Sequence, residues 1–276
     1  MSNQSSKDKN LKHTKRRRAP KSEASSSTRG DLIFGLHAIQ AALEVPVTRV
    51  KEIWIADERE DARVVSLTEA AKRHGITPQK LAKDELDEMM PNVRHQGSVA
   101  RCTPLGNLDE TDLFKLLDDL DERSEKPFLL ILDCVQDPHN LGACMRTAEA
   151  AGANAVIAPK DRASGLTATA LKVSSGAGER LPFIQVTNLA RVLRELQQRG
   201  VWLVGTSGDS EQTLFDVDLK GPLAIILGAE GRGIRRLTRE NCDQVIYIPM
   251  QGEAESLNVS VAAGVCLFEA ARQRSL

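Results

Sequence analysis

The sequence predicts an α/β protein that consists of a small α/β unit followed by a larger parallel sheet with helices on both faces. Two patterns lead to this prediction. From residue 127 onward, short runs of Val, Ile and Leu alternate with helical segments, as is typical of parallel strands buried on both sides. Between residues 31 and 104, shorter strand and helix patterns alternate.

The first unit is predicted to span residues 31–104. Its elements in order are a helix "GLHAIQAALE", a strand "VKEIWIAD", a helix "ARVVSLTEAAKRHG", a strand near "ITPQKL", a helix "KDELDEMM" and a closing strand in "GSVARCTP". Residues 105–126 are acidic and mostly polar, with a weak helical pattern in "LFKLLDDL". We therefore expect a linker there that contains at least one helical turn.

The second unit is predicted to span residues 127–276. Its strands and helices follow one another as "FLLILDC", "LGACMRTAEAAG", "AVIAP", "LTATALKVSSG", "FIQV", "LARVLRELQQRG", "VWLVGTS", "LAIILGAE", "IRRLTREN", "QVIYIPM" and a final helix. Ligands of parallel sheets bind outside the carboxyl ends of the strands. The loops at that edge are therefore the place to look for a functional site.

The composition restricts the class of protein. The chain has 276 residues, 41% hydrophobic and 27% charged, so it is long enough to bury a core. Aromatic residues make up only 3%, which argues against nucleic-acid binding that depends mainly on base stacking. No apolar run has membrane-spanning length, and the N-terminus lacks the apolar region of a secretory signal. We expect a cytoplasmic protein with no membrane partner.

The five cysteines do not form a recognisable metal site. They are widely separated, and no C-x-x-C pair or histidine spacing suits zinc or an iron–sulfur cluster. We therefore expect reduced thiols and no bound metal.

Residues 1–30 form a basic segment that differs from the rest of the chain. They contain nine Lys or Arg against two carboxylates, a charge of +7, which leaves about −8 for the remaining residues. With almost no large apolar residues, the segment is predicted to be a disordered tail. A tail of this kind can act as an arm that binds nucleic-acid phosphates, or it can be a solvated tail or part of a targeting signal.

Two of the loops after strands carry unusual residues. In "DCVQDPHNLGACMR", Asp137 and Pro138 form a turn, Asn140 is well placed to cap the next helix, and Arg146 lies within that helix. In "LGAEGRG", the glycines permit close approach of a ligand to the main chain, although they could also make only a tight turn. The dinucleotide fingerprint G-x-G-x-x-G and the P-loop sequence are both missing from the sequence.

The third loop holds more polar residues than a helix start requires. In "ESLNVS", Ser256, Asn258 and Ser260 precede or begin a helix whose apolar residues run from Val259. One cap satisfies only one or two of the exposed N–H groups of a first turn. Helix capping alone therefore does not explain all three polar side chains in this loop.

The three loops together resemble the signature motifs of a known family. The segments "DPHNLGACMRTAEAAGA", "LGAEGRGIRRL" and "IPMQGEAESLNVSVAAGVCLFEAAR" are similar to those of the SpoU (TrmH-type) RNA ribose 2′-O-methyltransferases. The segments "IFGLHAIQAAL" and "HQGSVAR" resemble the ribosomal-protein-like (L30e-like) RNA-binding domain of family members that methylate guanosine in 23S rRNA. The resemblance covers the chain beyond the tail.

The resemblance implies a fold, a cofactor and partners. The implied fold is a SPOUT-type domain with a C-terminal deep trefoil knot, in which the last helix threads behind two loops. The implied cofactor is S-adenosylmethionine, held largely by main-chain groups, and the family's contact positions fall on Gly228, Ile248 and Leu257. The implied partners are 23S rRNA, with the methylated guanosine expected in its peptidyl-transferase region, and a second copy of the chain in a homodimer.

The family's polar site residues match five positions of this sequence. These catalytic candidates are Asn140, Arg146, Glu230, Ser256 and Asn258. Methyl transfer to a ribose hydroxyl needs the oxygen aligned with the methyl donor and its proton removed. The resemblance makes the arginine the base, but a guanidinium normally stays charged, so a cation that binds the adjacent phosphate is the other possible role. His139 is a further candidate base, since imidazoles commonly titrate near neutral pH, or it is a turn residue.

Two other functions remain open from the sequence. One changes only the substrate, to tRNA or to another rRNA site such as that of thiostrepton-resistance enzymes. The other is a non-catalytic knotted RNA-binding protein that acts in ribosome assembly. Loss of Asn140, Arg146 or Asn258 would favour this last function, and all three are present.

Overall fold

The residues that the structure describes form two separate β-sheets. The structure, a computed structural model, describes residues 31–45, 48–91, 93–229, 231 and 233–275. The basic tail therefore lies outside the described residues. One sheet has four strands and the other has seven, and the smaller precedes the larger in the chain, as the sequence predicts.

The smaller sheet is mixed, with the strand order β1-β4-β2-β3. Strand β4 pairs antiparallel with β1 and β2, whereas β2 and β3 are parallel. The elements are β1 Asp31–Phe34, α1 Leu36–Glu44, β2 Val50–Ala56, α2 Ala62–Arg73, β3 Gln79–Leu81, α3 Lys83–Met89 and β4 Ser98–Cys102. Strand β1 was not predicted, because four residues directly before a helix give too short a period-2 pattern.

The acidic segment before the larger sheet contains a full helix, α4 Glu110–Glu122. Asp109 caps it by accepting a hydrogen bond from the Thr111 amide at 2.8 Å. The side chains of Leu113, Leu117 and Leu120 are buried against strands of the larger sheet. Spacings of four and three residues place these leucines on one helix face. The helix is therefore part of the core and longer than the weak pattern indicated.

The larger sheet is entirely parallel, with the strand order β7-β6-β5-β10-β8-β11-β9. Its strands are β5 Phe128–Asp133, β6 Ala155–Pro159, β7 Phe183–Val186, β8 Trp202–Thr206, β9 Gln212–Thr213, β10 Leu223–Gly228 and β11 Gln244–Tyr247. Its helices are α5 Pro138–Ala150, α6 Ala168–Val173, α7 Ala177–Arg180, α8 Leu189–Gln198, α9 Arg236–Glu240 and α10 Val259–Arg274. A 3₁₀ turn follows β9 at Leu214–Asp216.

Helices cover both faces of this sheet, as its apolar strands require. On one face, α5 and α10 contribute Cys144 and Leu267 to a core cluster that includes Leu130 of β5. On the other face, α4 and α8 contribute Leu117 and Val192 to a second cluster. The sequence prediction of an α/β fold with a parallel sheet covered on both sides is confirmed.

The C-terminal end of α10 is fixed by side-chain hydrogen bonds. Gln273 is buried, its Oε1 accepts from the Leu219 amide at 2.9 Å, and its Nε2 donates to the Val217 carbonyl at 3.1 Å. Arg274 donates to the carbonyls of Gly221 and Lys126. These bonds attach the end of α10 to the segments that lead into β10 and β5.

The two units touch through α6, α7 and the turn between these helices. Arg49, next to β2, forms a two-point ion pair with Glu179 of α7, with Nη2–Oε1 at 2.6 Å and Nε–Oε2 at 2.8 Å. Gly176 has a φ of 96°, and a Cβ there would overlap Ala41 of α1. Only glycine combines this backbone conformation with such a close approach.

Within the described ranges, none of the helices has the length and apolar character that crossing a bilayer would require.

Candidate active site

A large cavity opens at the carboxyl edge of the parallel sheet, where the loops after β8, β10 and β11 meet. It has a volume of about 420 Å³, within the range typical of small-molecule pockets. Its lining residues are Thr206, Ser207, Gly208, Asp209, Leu227, Gly228, Ala229, Gly231, Gly233, Tyr247, Ile248, Met250, Glu255, Ser256, Leu257, Val259 and Ala262. The predicted cofactor residues Gly228, Ile248 and Leu257 thus line one cavity, together with the catalytic candidate Ser256.

A smaller cavity of about 210 Å³ lies beside the large one. Its lining residues are Cys134, Val135, Gln136, Asp137, Asn140, Ala229 and Val259. Ala229 and Val259 line both cavities, so these two residues lie between the cavities. The loop after β5 therefore faces the small cavity, whereas the loops after β10 and β11 border both cavities.

Asn140 is not the cap of its helix. Helix α5 begins at Pro138, and Asp137 caps it by accepting a hydrogen bond from the His139 amide at 2.9 Å. Proline suits the first helical position because that position's N–H needs no partner within the helix. The capping role predicted for Asn140 is therefore wrong, and its half-buried side chain points to the small cavity from within the first turn.

Asn258 caps α10 and also reaches the first loop. Its Oδ1 accepts hydrogen bonds from the Ser260 amide at 2.9 Å and from the Ser260 hydroxyl at 2.6 Å. Its Nδ2 donates to Oδ1 of Asn140 at 3.1 Å. One asparagine thus performs the capping that the loop requires and connects the first loop to the third.

Arg146 lies apart from the two asparagines. It is exposed on α5, lines neither cavity, and donates from Nη1 to the Ser175 hydroxyl at 3.4 Å. Ser175 has a φ of 51° in the turn between α6 and α7. His139 is exposed near the start of the same helix.

Gly228 is required by the loop that it begins. A Cβ at this position would overlap the main chain of Gly233, because the loop folds back and the Gly233 amide donates to the Ala229 carbonyl at 2.9 Å. Gly231 and Gly233 have φ values of 72° and 62°, the region that favours glycine. The candidate Glu230 lies outside the described residues.

Two residues that line the large cavity, Ser207 and Asp209, were not singled out from the sequence. The Asp209 carboxylate accepts hydrogen bonds from the Ser207 hydroxyl and from Nη1 of Arg239, the latter at 2.7 and 2.9 Å. The hydrogen bond from Ser207 and then that from Arg239 lower the pKa of Asp209. The cavity wall therefore carries an ionised carboxylate. The signal in the sequence was the polar turn "TSGDS" directly after β8.

An ion pair with a buried carboxylate, next to both cavities, was also missed. Asp133 ends β5 with a fully buried side chain, and Arg235 precedes α9. The guanidinium Nε of Arg235 lies 2.6 Å from Oδ1 of Asp133. A carboxylate that ends an otherwise apolar strand is visible in the sequence, but its partner 102 residues away is not.

The thiols of the described residues are mostly buried. Burial raises the pKa of Cys144 and of Cys266 to about 12, so these thiols stay protonated at neutral pH. Burial, and then the Asp133 charge, raises the pKa of Cys134 beside the small cavity. In the part of the chain that the structure describes, no group of three His, Cys, Asp or Glu side chains could hold a metal ion.

Family models match both units. The model of the SpoU rRNA methylase family matches residues 127–268. The model for RNA 2′-O ribose methyltransferase substrate binding matches residues 32–108. Together these matches include both sheets and the two cavities.

Individual relatives match along most of the chain. The 23S rRNA (guanosine-2′-O-)-methyltransferases RlmB of Photobacterium profundum and of Escherichia coli K12 are 53% and 52% identical to it, over 89% of this chain and 99% of each relative. A crystal structure is known of the SpoU methyltransferase AviRb from Streptomyces viridochromogenes in complex with the cofactor AdoMet. AviRb is 27% identical in sequence to this chain, and the two structures have a TM-score of 0.69 over 88% of this chain and 90% of AviRb.

Another solved structure, described as an RNA 2′-O ribose methyltransferase, has a TM-score of 0.73 at 26% identity and covers 91% of both chains. The similarity thus holds at the levels of sequence and fold. Since one family model spans more than half of the sequence and the relatives exceed half identity, the chain belongs to the SpoU rRNA methylase family.

Proposed function

We propose that this protein transfers a methyl group from S-adenosylmethionine to the ribose 2′-hydroxyl of a guanosine in 23S rRNA. The observation that carries the proposal is the identity of 52–53% to 23S rRNA guanosine methyltransferases over 89% of the chain. That identity extends across the unit that matches the substrate-binding model as well as the unit with the cavities. We propose a cytoplasmic location for this activity.

The large cavity fits S-adenosylmethionine. Its size suits a small cofactor, Leu227, Ile248 and Leu257 offer apolar surface, and the tight approach at Gly228 leaves the main chain accessible. These residues would hold the adenosine part, and the ionised Asp209 offers an acceptor at the cavity wall. When bound, S-adenosylmethionine supplies the electrophilic methyl group.

The small cavity and its borders suit the acceptor ribose. Asn140 lines it, and the hydrogen bond from Asn258 fixes the orientation of the Asn140 amide. Ser256 lines the neighbouring cavity and offers a hydroxyl at the boundary. Fixed polar groups of this kind align a reacting hydroxyl before its proton is removed. Glu230 is included in this group on the family resemblance.

Arg146 is proposed to act on the 2′-hydroxyl from the exposed side. It acts either as the base or as a cation that binds the adjacent phosphate and favours the ionised hydroxyl. The second role uses the normal charged state of a guanidinium. Either role requires the side chain to leave Ser175, whose hydroxyl it reaches only at a long 3.4 Å.

The two units are proposed to divide the work. Residues 31–104 would be the L30e-like unit that binds the RNA, and residues 127–276 would be the methyltransferase unit. Residues 105–126 would connect the two, with α4 packed on the larger sheet. The substrate-binding match at residues 32–108 supports the first assignment. The Arg49–Glu179 ion pair supports a fixed contact between the units. The basic tail, residues 1–30, is proposed to add phosphate contacts.

A deep trefoil knot is proposed for the C-terminal part. The support is that α10 packs in one core cluster with α5 and with β10 in the middle of the sheet, while the segment before it lines the large cavity at the edge. In the proposed knot, α10 passes behind the loops after β8 and β10. The bonds of Gln273 and Arg274 would then hold its far end.

A homodimer is proposed, with α10 at its interface. Val261 and Phe268 are each 51% exposed and lie seven residues apart, on one face of this helix. A second copy would bury them and bring its own cavities close to the interface. Sedimentation equilibrium should give twice the chain mass, and Phe268→Glu should shift the protein to monomers. A wild-type monomer at micromolar concentration would refute the dimer.

The decisive test of function is a methylation assay. The purified protein is incubated with labelled S-adenosylmethionine and 23S rRNA from cells that lack the modification, and the 2′-O-methyl position is mapped. We expect one guanosine to be labelled, in the peptidyl-transferase region. Label in tRNA or at another rRNA site would change the substrate. RNA binding without transfer to any RNA would instead indicate an assembly protein.

A further inference from the structure

Asp133 holds a carboxylate where the sheet is completely closed to solvent. The side chain has 0% exposure at the end of β5, between β6 and β10. A buried charge is costly unless it is paired and hydrogen-bonded. Both oxygens are indeed used, because Oδ1 accepts from Nε of Arg235 at 2.6 Å and Oδ2 accepts from the Arg235 amide at 2.8 Å.

Arg235, the partner of Asp133, ends the loop that lines both cavities. This loop leaves β10 at Gly228, which lies opposite Asp133 in the register of β5 and β10. It returns at Arg235, which is bonded to the same carboxylate. Asp133 therefore lies beside both ends of the loop, and the loop's Ala229 lines the large and the small cavity.

The chain on the other side of Asp133 forms the opposite wall of the small cavity. Cys134 follows with a φ of 68°, a conformation that non-glycine residues rarely adopt. The segment then runs through Val135 and Asp137 to Asn140, all of which line the small cavity. A shift of the carboxylate would thus move both the first loop and the glycine-rich loop.

Stability alone does not account for a charge at this position. Apolar residues of similar volume that replace a buried ion pair often leave stability unchanged or raise it. The rest of β5, from Phe128 to Leu132, is apolar and buried. A directional ion pair with two bonds instead fixes the position of its partner, and that partner here belongs to the cavity wall.

We propose that Asp133 is a positioning residue, which acts through Arg235 to hold the glycine-rich loop against the Cys134–Asn140 segment and so aligns the cofactor with the acceptor hydroxyl. The proposal rests on the proposed function for the identity of the two ligands. It predicts that loss of the ion pair affects cofactor affinity and the rate of transfer beyond any effect on stability.

The test uses Asp133→Asn, Arg235→Ala and Arg235→Lys in the full chain. Arg235→Ala keeps its main-chain amide, and its side chain is 42% exposed, so this variant should fold even if Asp133→Asn does not. The matched control is Glu179→Gln, which breaks another ion pair whose carboxylate is buried, but outside both cavities. S-adenosylmethionine affinity is measured by calorimetry without RNA, well below each variant's melting temperature.

We expect Asp133→Asn and Arg235→Ala to weaken S-adenosylmethionine binding about 10-fold, with partial recovery in Arg235→Lys, because charge-assisted hydrogen bonds to a buried group are strong. Single-turnover transfer at saturating cofactor should also slow. Glu179→Gln should lower the melting temperature and leave S-adenosylmethionine affinity at the wild-type value, because Glu179 lies outside the large cavity. Wild-type affinity and rate in Arg235→Ala would overturn the proposal.

The affinity measurement separates this proposal from the proposed function. If the wild-type protein binds S-adenosylmethionine but labels no RNA, the function fails, and the binding data on the variants still decide the role of Asp133. If the variants bind normally while the wild type methylates 23S rRNA, only the positioning role fails.

Discussion

Asn258 donates a hydrogen bond to Asn140 at 3.1 Å, although 118 residues separate them in the sequence. One side chain lies in the first turn of α5, and the other caps α10. The carboxyl ends of parallel strands share one edge of the sheet, so loops that are far apart in the chain meet there. The bond joins the small cavity to the helix that contributes Val259 to both cavities.

Replacing Asn258 by Asp should slow methyl transfer without unfolding the helix. The new carboxylate still accepts from the Ser260 amide and favours a helix N-terminus, but it has no hydrogen to donate to Asn140. We expect a rate loss of about 100-fold and a melting temperature close to wild type. Asn188→Asp at the cap of α8 is the control. A fast Asn258→Asp enzyme would show that the bond between the asparagines is dispensable.

Arg146 can be tested by two substitutions. Arg146→Ala should reduce single-turnover transfer by roughly 100-fold or more and leave S-adenosylmethionine affinity unchanged, because this residue lies outside the large cavity. Arg146→Lys keeps the charge but loses the planar fork. Partial recovery in the lysine variant would favour the phosphate-binding cation. A wild-type rate in Arg146→Ala would shift attention to His139.

Gly228→Ala should weaken cofactor binding by displacing the glycine-rich loop. The sequence suggested that a side chain here would meet the cofactor, and the structure adds that it would overlap Gly233. Overpacking of this kind costs about 1–3 kcal/mol, so we expect affinity to fall ~10-fold. The control is Gly252→Ala, where a Cβ has open space. Equal affinities in calorimetry would mean that the loop adapts without consequence for the cofactor.

Glu269 should make the stability of the protein depend on acid pH. Hydrogen bonds from Arg272 and then from Gln273 lower its pKa to about 2. Because the folded-state pKa lies below the unfolded value of about 4.3, this contribution is present above about pH 4.3 and is lost as the pH falls towards 2. Glu269→Gln should flatten the free energy of unfolding in this window, measured by denaturant titration. The control Glu58→Gln, on an exposed residue, should keep the wild-type slope.

The sequence predicted most of the larger sheet because buried parallel strands are continuously apolar. "FLLILD" could only be a strand of this kind, and it is β5. Strand β1 escaped prediction because its four residues run directly into α1. The extent of α4 was underestimated because acidic residues surround the three leucines that bury it.

Part of the candidate site was also predictable. The convergence of three loops followed from the parallel topology, and the cofactor candidates Gly228, Ile248 and Leu257 do line one cavity. The cap of α5 was placed wrongly because Pro138 was assigned to a turn before the helix, whereas it occupies the first helical position and leaves Asp137 as the cap. The Asp133–Arg235 pair leaves no periodic signal, since side-chain pairing across 102 residues depends on the finished fold.

The position of Val259 and the rest of α10 near the end of the chain has a consequence for biosynthesis. Units generally fold in order as they emerge during translation, at about 5–20 residues per second. The small sheet can form early, but both cavities and one face of the large sheet lack a wall until α10 has been made. Roughly 10–30 seconds therefore pass between the appearance of the unit that we propose binds RNA and that of the cofactor site. A nascent chain would therefore present the proposed RNA-binding unit before it has the proposed cofactor site.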